Sequence, residues 1–130
     1  MKPTLAFLQQ IAYEAGQIVQ GFVDKEMDVQ HKSLTDLVTK ADHASEKYLI
    51  ETIRKAFKDH AIVAEESGEW QGTQAHQWYI DPLDGTLNFA HGVPIYSVSV
   101  GYAYQGQVIL GVVYDPTREE FFCAERGQGA

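Results

Sequence analysis

Apolar residues recur at three- and four-residue spacing in the first part of the chain. Leu5, Leu8, Ile11, Ala12, Ala15, Ile18, Val19 and Phe22 form one stripe, which predicts an amphipathic helix over about Pro3–Phe22. Pro3 suits the first turn, where its missing N–H costs nothing. Ala41, Ala44, Tyr48, Leu49, Ile53, Ala56 and Phe57 form a second stripe, predicting a helix over about Lys40–Lys58. Between them, Met27–Lys32 reads as a short strand leading into a loop. After Lys58 the period changes. Ala61–Ala64 and Trp78–Ile80 are short continuous apolar runs, the pattern of strands covered on both faces. The polar, glycine-containing stretch Glu66–Gln77 reads as a mobile surface loop. Ile95–Tyr104, Gln107–Tyr114 and Glu120–Ala124 are longer strand patterns. Gln105-Gly106 and Asp115-Pro116-Thr117-Arg118 separate them as turns, links short enough to require antiparallel neighbours. The fold class is therefore α+β, two amphipathic helices on a mainly antiparallel sheet.

Composition narrows the function. A chain of 130 residues fits one domain with a real core. A net charge of −8 argues against general affinity for nucleic acid or an anionic membrane surface. No stretch approaches the roughly 20 apolar residues of a membrane span, and Gln9, Gln10, Glu14 and Gln17 interrupt any signal-peptide core. The single cysteine, Cys123, cannot form an internal disulfide; it reads as a small buried residue of a strand, compatible with a reducing cytoplasm. The five histidines, His31, His43, His60, His76 and His91, show no pairing at metal-ligand spacing and read mostly as surface residues.

The candidate chemistry lies in Asp81-Pro82-Leu83-Asp84-Gly85-Thr86-Leu87-Asn88-Phe89, directly after an apolar strand pattern. Two carboxylates offer the oxygen ligands that Mg²⁺ prefers. A Gly-Thr step opening a helical turn offers backbone N–H groups to an anion. Together they suit metal-assisted phosphate hydrolysis, although a plain Asp-Pro turn would also explain the aspartates. Glu65 and Glu66 end a strand, where neighbours alternate faces, so one can aim into a site while the other meets solvent. Thr39-Lys40-Ala41-Asp42 fits a capping box with Thr39 as N-cap. Thr86 has an N-cap reading as well, and Asn88 reads as a turn stabiliser.

The motif resembles that of the inositol monophosphatase family, lithium-sensitive Mg²⁺-dependent sugar-phosphate phosphatases. The resemblance extends to Asp36–Asp42, Ile62–Gly68 and Gly127–Ala130. It implies Mg²⁺, two or more ions in the complete enzyme, held by Glu65, Asp81, the Leu83 carbonyl and Asp84. It implies catalysis by Asp42, Glu65 and Thr86, with substrate bound by Glu65, Leu83, Asp84, Gly85 and Thr86. Lys32 stays open between a family lysine near the weaker metal site and a solvated surface charge. The implied function is hydrolysis of a small phosphate ester, myo-inositol 1-phosphate first, by a cytoplasmic homodimer without nucleic-acid or membrane partners. Asn88-Phe89 resembles the inositol monophosphatase branch, but another sugar or nucleotide phosphate is an alternative. Residues 1–130 correspond to the N-terminal metal-binding portion of the family fold. The absent C-terminal half would carry a further ligand and the substrate's far wall, so poor turnover, self-association or a non-catalytic regulatory role is expected of this chain alone. A haloacid-dehalogenase-type phosphatase would need Asp-x-Asp-Gly-Thr, and here the aspartates stand one residue too far apart.

Overall fold

The computed structural model describes the backbone of residues 2–26, 34–64 and 68–128; side chains 23–39 and 73–74 lie outside that description. The predicted strand Met27–Lys32 falls outside the described residues. Helix α1 spans Leu5–Glu26, α2 Leu34–Ala56, and a short α3 Thr86–Ala90. Six strands, β1 (His60–Ala64), β2 (Gly68–Trp70), β3 (Thr73–Asp84), β4 (Ser97–Tyr104), β5 (Gln107–Asp115) and β6 (Glu120–Glu125), form one sheet in the order β2-β1-β3-β4-β5-β6. Among the described residues only the β1–β3 pair is parallel, so the sheet is mixed and mainly antiparallel.

Each strand of the sheet centre alternates between a buried and an open face. Val98, Val100 and Tyr102 of β4 face the helices, with Trp78 and Ile80 of β3 and Leu110, Val112 and Tyr114 of β5. Leu8, Ile11, Ala12 and Ala15 of α1 and Leu49, Ile50 and Ile53 of α2 close that core. Fully burying side chains of this size contributes about 1.5–3 kcal/mol each. The longer helical stripes therefore fold as the spacing predicts, one helical layer on one sheet face.

Four local expectations change. Helix α1 starts after Thr4, whose hydroxyl accepts a hydrogen bond from the Phe7 amide at 3.2 Å, so Thr4 is the cap and Pro3 precedes the helix. Helix α2 starts at Leu34 rather than Lys40. Thr39 and Asp42 are thereby interior positions of α2 and not its first turn, where the capping-box reading places them. The stretch read as a loop over Glu66–Gln77 contains β2 and the start of β3, Ile62 pairing with Trp70 and Ala61 with Gln77. A polar edge ribbon gains its order from backbone pairing and carries no apolar run to announce it. Lastly, His60 is 5% exposed and stacks on His76 with ring centroids 4.0 Å apart. Its Nδ1 accepts a hydrogen bond from Trp78 Nε1 at 3.0 Å, and His76 Nδ1 lies 2.5 Å from the Tyr102 hydroxyl. These two histidines belong to an aromatic cluster, whereas His43 and His91 are exposed.

Candidate active site

Asp81 and Asp84 are an odd number of residues apart, and on a regular strand they would point to opposite faces. The pairing with β4 resolves this. Asp81 stands opposite Ser99 and Asp84 opposite Ser97, with an irregularity between them. Three steps along β3 thus match two along β4, the signature of a bulge carrying one extra residue. Because Ser97 and Ser99 share a face, the bulge puts both carboxylates on one face, the one the helices leave open. Asp81 lines a shallow cavity of about 270 Å³ there with Val63, Tyr79, Ile80 and Ser99.

The bulge is anchored from the other side. Leu83 is 2% exposed and packs with Val19, Ala41, Phe89 and Tyr96 in a small second core. The Tyr96 hydroxyl donates to Gln20 Oε1 on α1, and the buried Ser45 hydroxyl of α2 donates to the Pro82 carbonyl at 2.9 Å. Pro82 and Leu83 are held into the core while Asp84 is turned out to solvent.

The chain then turns into α3 through Gly85, at φ +89°, ψ 38°. Only glycine takes this left-handed conformation routinely, and a Cβ here would lie 2.9 Å from the Ile95 carbonyl oxygen. Thr86 follows as the exposed first residue of α3, at the end where helical amides point outward toward an anion. Asn88 stabilises the turn as expected: its Nδ2 donates to the Ile95 carbonyl at 3.0 Å, and its own carbonyl accepts from the Val93 amide at 2.8 Å.

Asp42 is 7% exposed, one turn before Ser45 on the buried stripe of α2, and its Oδ1, like that of Asp81, is shut off from solvent. It lies on α2, the helix that the Ser45–Pro82 hydrogen bond ties to the bulge between Asp81 and Asp84. Among the described residues no three His, Cys, Asp or Glu side chains gather as a metal cluster. Glu65 and Lys32 lie outside the described residues. The parallel β1–β3 ladder runs up to Ala64 and Ile80, the residues that precede Glu65 and Asp81 in sequence. The donor set described, two carboxylates on one face with no sulfur or imidazole beside them, fits a hard cation such as Mg²⁺. The bulge and the Ser45 contact escaped sequence reading, although the odd spacing of Asp81 and Asp84 was a usable signal for the first.

The inositol monophosphatase family profile matches residues 1–130, and the chain belongs to that family. The Nus factor SuhB of Pasteurella multocida (strain Pm70) is 46% identical over 133 residues, covering 100% of this chain and 50% of the relative. The solved extragenic suppressor protein suhB of Bartonella henselae superposes with a TM-score of 0.82 at 36% identity, over 92% of this chain and 47% of that one. Inositol monophosphatase-II of Staphylococcus aureus MSSA476 gives a TM-score of 0.83 at 29% identity, over 95% of this chain and 46% of that one, and SaIMPase-II has also been solved with inositol monophosphate bound. The chain spans about half the length of the curated relatives it matches. No helix among the described residues is long and apolar enough to cross a membrane.

Proposed function

We propose that residues 1–130 are the metal-binding portion of a Mg²⁺-dependent phosphate monoester hydrolase whose first substrate is an inositol monophosphate. The observation that carries this reading is the bulge, which turns Asp81 and Asp84 onto one face immediately before the glycine turn into α3, in a chain of this family. In this reading Asp81, Asp84, the Leu83 carbonyl and Glu65 hold the cation. When bound, Mg²⁺ neutralises charge on the phosphate and acidifies a coordinated water. The Gly85 and Thr86 amides hold phosphate oxygens. The Thr86 hydroxyl and the Asp42 carboxylate orient a water in line with the ester bond. That water's oxygen bonds to phosphorus, the P–O ester bond breaks, and the alcohol leaves with a proton. The protein acts as a cytoplasmic homodimer on a small phosphate ester, and the bound cation offsets the repulsion between a chain of net charge −8 and an anionic substrate.

The test is phosphate release from myo-inositol 1-phosphate and from a nucleoside monophosphate, with Mg²⁺ or EDTA, for wild type and Asp81→Asn. Mg²⁺-dependent release that is faster on the inositol ester and lost in Asp81→Asn supports the reading. Release that persists in EDTA or in Asp81→Asn overturns it, and preference for the nucleotide moves the substrate to another small phosphate. A second reading is favoured by the relative named Nus factor SuhB: a non-catalytic Nus factor role, in which Mg²⁺ binds without turnover.

A further inference from the structure

The turn between β5 and β6 lies some thirty residues from the Asp81–Thr86 segment in sequence, yet its side chains reach the loop on which that segment rests. Asp115 Oδ1 accepts from the Thr117 amide at 2.9 Å, the Thr117 hydroxyl at 2.7 Å and the Arg118 amide at 3.2 Å. Arg118 Nη1 donates to Asp115 Oδ2 at 2.9 Å and to the Pro94 carbonyl at 3.3 Å. The Thr117 hydroxyl also lies 3.2 Å from the Pro94 carbonyl, but it has one proton, and the shorter contact to a charged acceptor takes it. Arg118 Nη1 has two, one for each partner. Arg118 is therefore the donor that ties Pro94 to the β5–β6 turn, and Asp115 holds it in place.

Pro94 precedes Ile95, whose carbonyl meets both Asn88 Nδ2 and the Cα side of Gly85. A shift of residues 94–95 has nowhere to go without moving the Gly85–Thr86 turn. We infer that Arg118 is a positioning residue for the Asp84–Thr86 turn, acting through the Pro94–Ile95 backbone. Among the described residues Arg118 makes no hydrogen bond to Asp81, Asp84 or Thr86, and its side chain is 51% exposed, so its ion pair with Asp115 adds little to global stability. What it supplies is placement. A metal- and phosphate-binding turn must hold its donors within a fraction of an ångström, and small displacements cost much more in binding than in stability. The inference rests on the proposed metal role of that turn.

The experiment compares wild type with Arg118→Met, which keeps the stem but removes both donors, and with Arg118→Lys, which can restore one. Mg²⁺ affinity is measured by calorimetry, and amide hydrogen exchange is followed across residues 85–96. Directly bonded outer partners of metal ligands change affinity by about 10–100-fold. Arg118 is one contact further out, so a loss of about 3- to 10-fold is expected in Arg118→Met, with partial recovery in Arg118→Lys. Exchange at Phe89, Val93 and Ile95, whose amides donate to Gly85, Asn88 and Val93, rises in Arg118→Met, while its melting temperature in EDTA moves little. Unchanged exchange over 85–96 overturns the inference, whatever the metal does. Faster exchange with unchanged Mg²⁺ affinity also overturns it, because the turn would then tolerate the displacement. If wild type itself takes up no Mg²⁺, the metal reading has failed, and the exchange measurement still decides whether Arg118 orders the turn.

Discussion

Gly85→Ala should destabilise the protein through two separable effects, and Gly106→Ala isolates one of them. Both glycines have left-handed backbones, φ +89° at Gly85 and +83° at Gly106, but a Cβ at Gly106 would have nothing within 4 Å. At Gly85 it would stand 2.9 Å from the Ile95 carbonyl and 3.2 Å from Tyr96 Cα. The left-handed conformation costs a non-glycine residue about 1–2 kcal/mol. Relieving an overpacked contact with backbone costs about 1–3 kcal/mol more. The expected losses are thus about 1–2 kcal/mol for Gly106→Ala and about 2–5 kcal/mol for Gly85→Ala. An unfolding entropy of about 2.1 cal/mol/K per residue makes each kcal/mol worth about 4 °C in a chain of this size. Circular dichroism melting should therefore show a fall of about 4–8 °C for Gly106→Ala and about 8–20 °C for Gly85→Ala. Gly85→Asn, whose side chain tolerates the left-handed region better, should recover the dihedral part but not the clash. Equal falls for the two alanine variants would refute the claim that the Ile95 carbonyl is packed onto Gly85.

Ser45→Ala should cost about 1–3 kcal/mol in urea unfolding, because it strands the buried Pro82 carbonyl; a change within experimental error would show the contact to be dispensable. Burial, then the N-terminal amine and Lys2, hold the His76 imidazole below its ordinary value of 6.5. The folded protein then binds fewer protons than the unfolded chain, so stability rises with pH and is lost as pH falls from about 6.5 through the folded value. The wild-type melting temperature should drop between about pH 7.5 and pH 5.5 by more than that of His76→Phe, which keeps a ring in the stack but cannot titrate. Mg²⁺ at a hundred times its dissociation constant should stabilise the fold by about 2.7 kcal/mol, and excess EDTA should abolish that gain in a melting experiment.

The helical faces were legible because burial enforces a single period over many residues, as in Leu8, Ile11, Ala12 and Ala15. The β4–β5 hairpin was legible for a different reason: Gln105-Gly106 supplies two consecutive left-handed residues between alternating strands. The start of α2 was not legible, since Thr39 is a good cap by type and nevertheless lies inside a helix that begins at Leu34. Strand β2 was hidden because its three residues are all exposed and its order comes from pairing with β1. The stacked His60 and His76 were hidden for a related reason, being brought together by register between β1 and β3. At the candidate site, residue types and order could be read directly. The bulge that turns Asp81 and Asp84 to one face depends on Ser97 and Ser99 of a strand whose register no local pattern specifies. Glu65 and Lys32, which the family resemblance brings to the same site, fall outside the described residues.

Calorimetric titration of Mg²⁺ into wild type, Asp81→Asn and Asp84→Asn tests the central claim most directly, because it asks about the bulge without requiring turnover. Asparagine keeps the shape of each side chain, so the fold survives while the charge that would hold the cation is removed. Saturable binding to wild type that is weakened at least tenfold in each variant is the expected result. No saturable binding, or binding of equal strength in all three proteins, would contradict the account and leave Asp81 and Asp84 as an ordinary Asp-Pro turn.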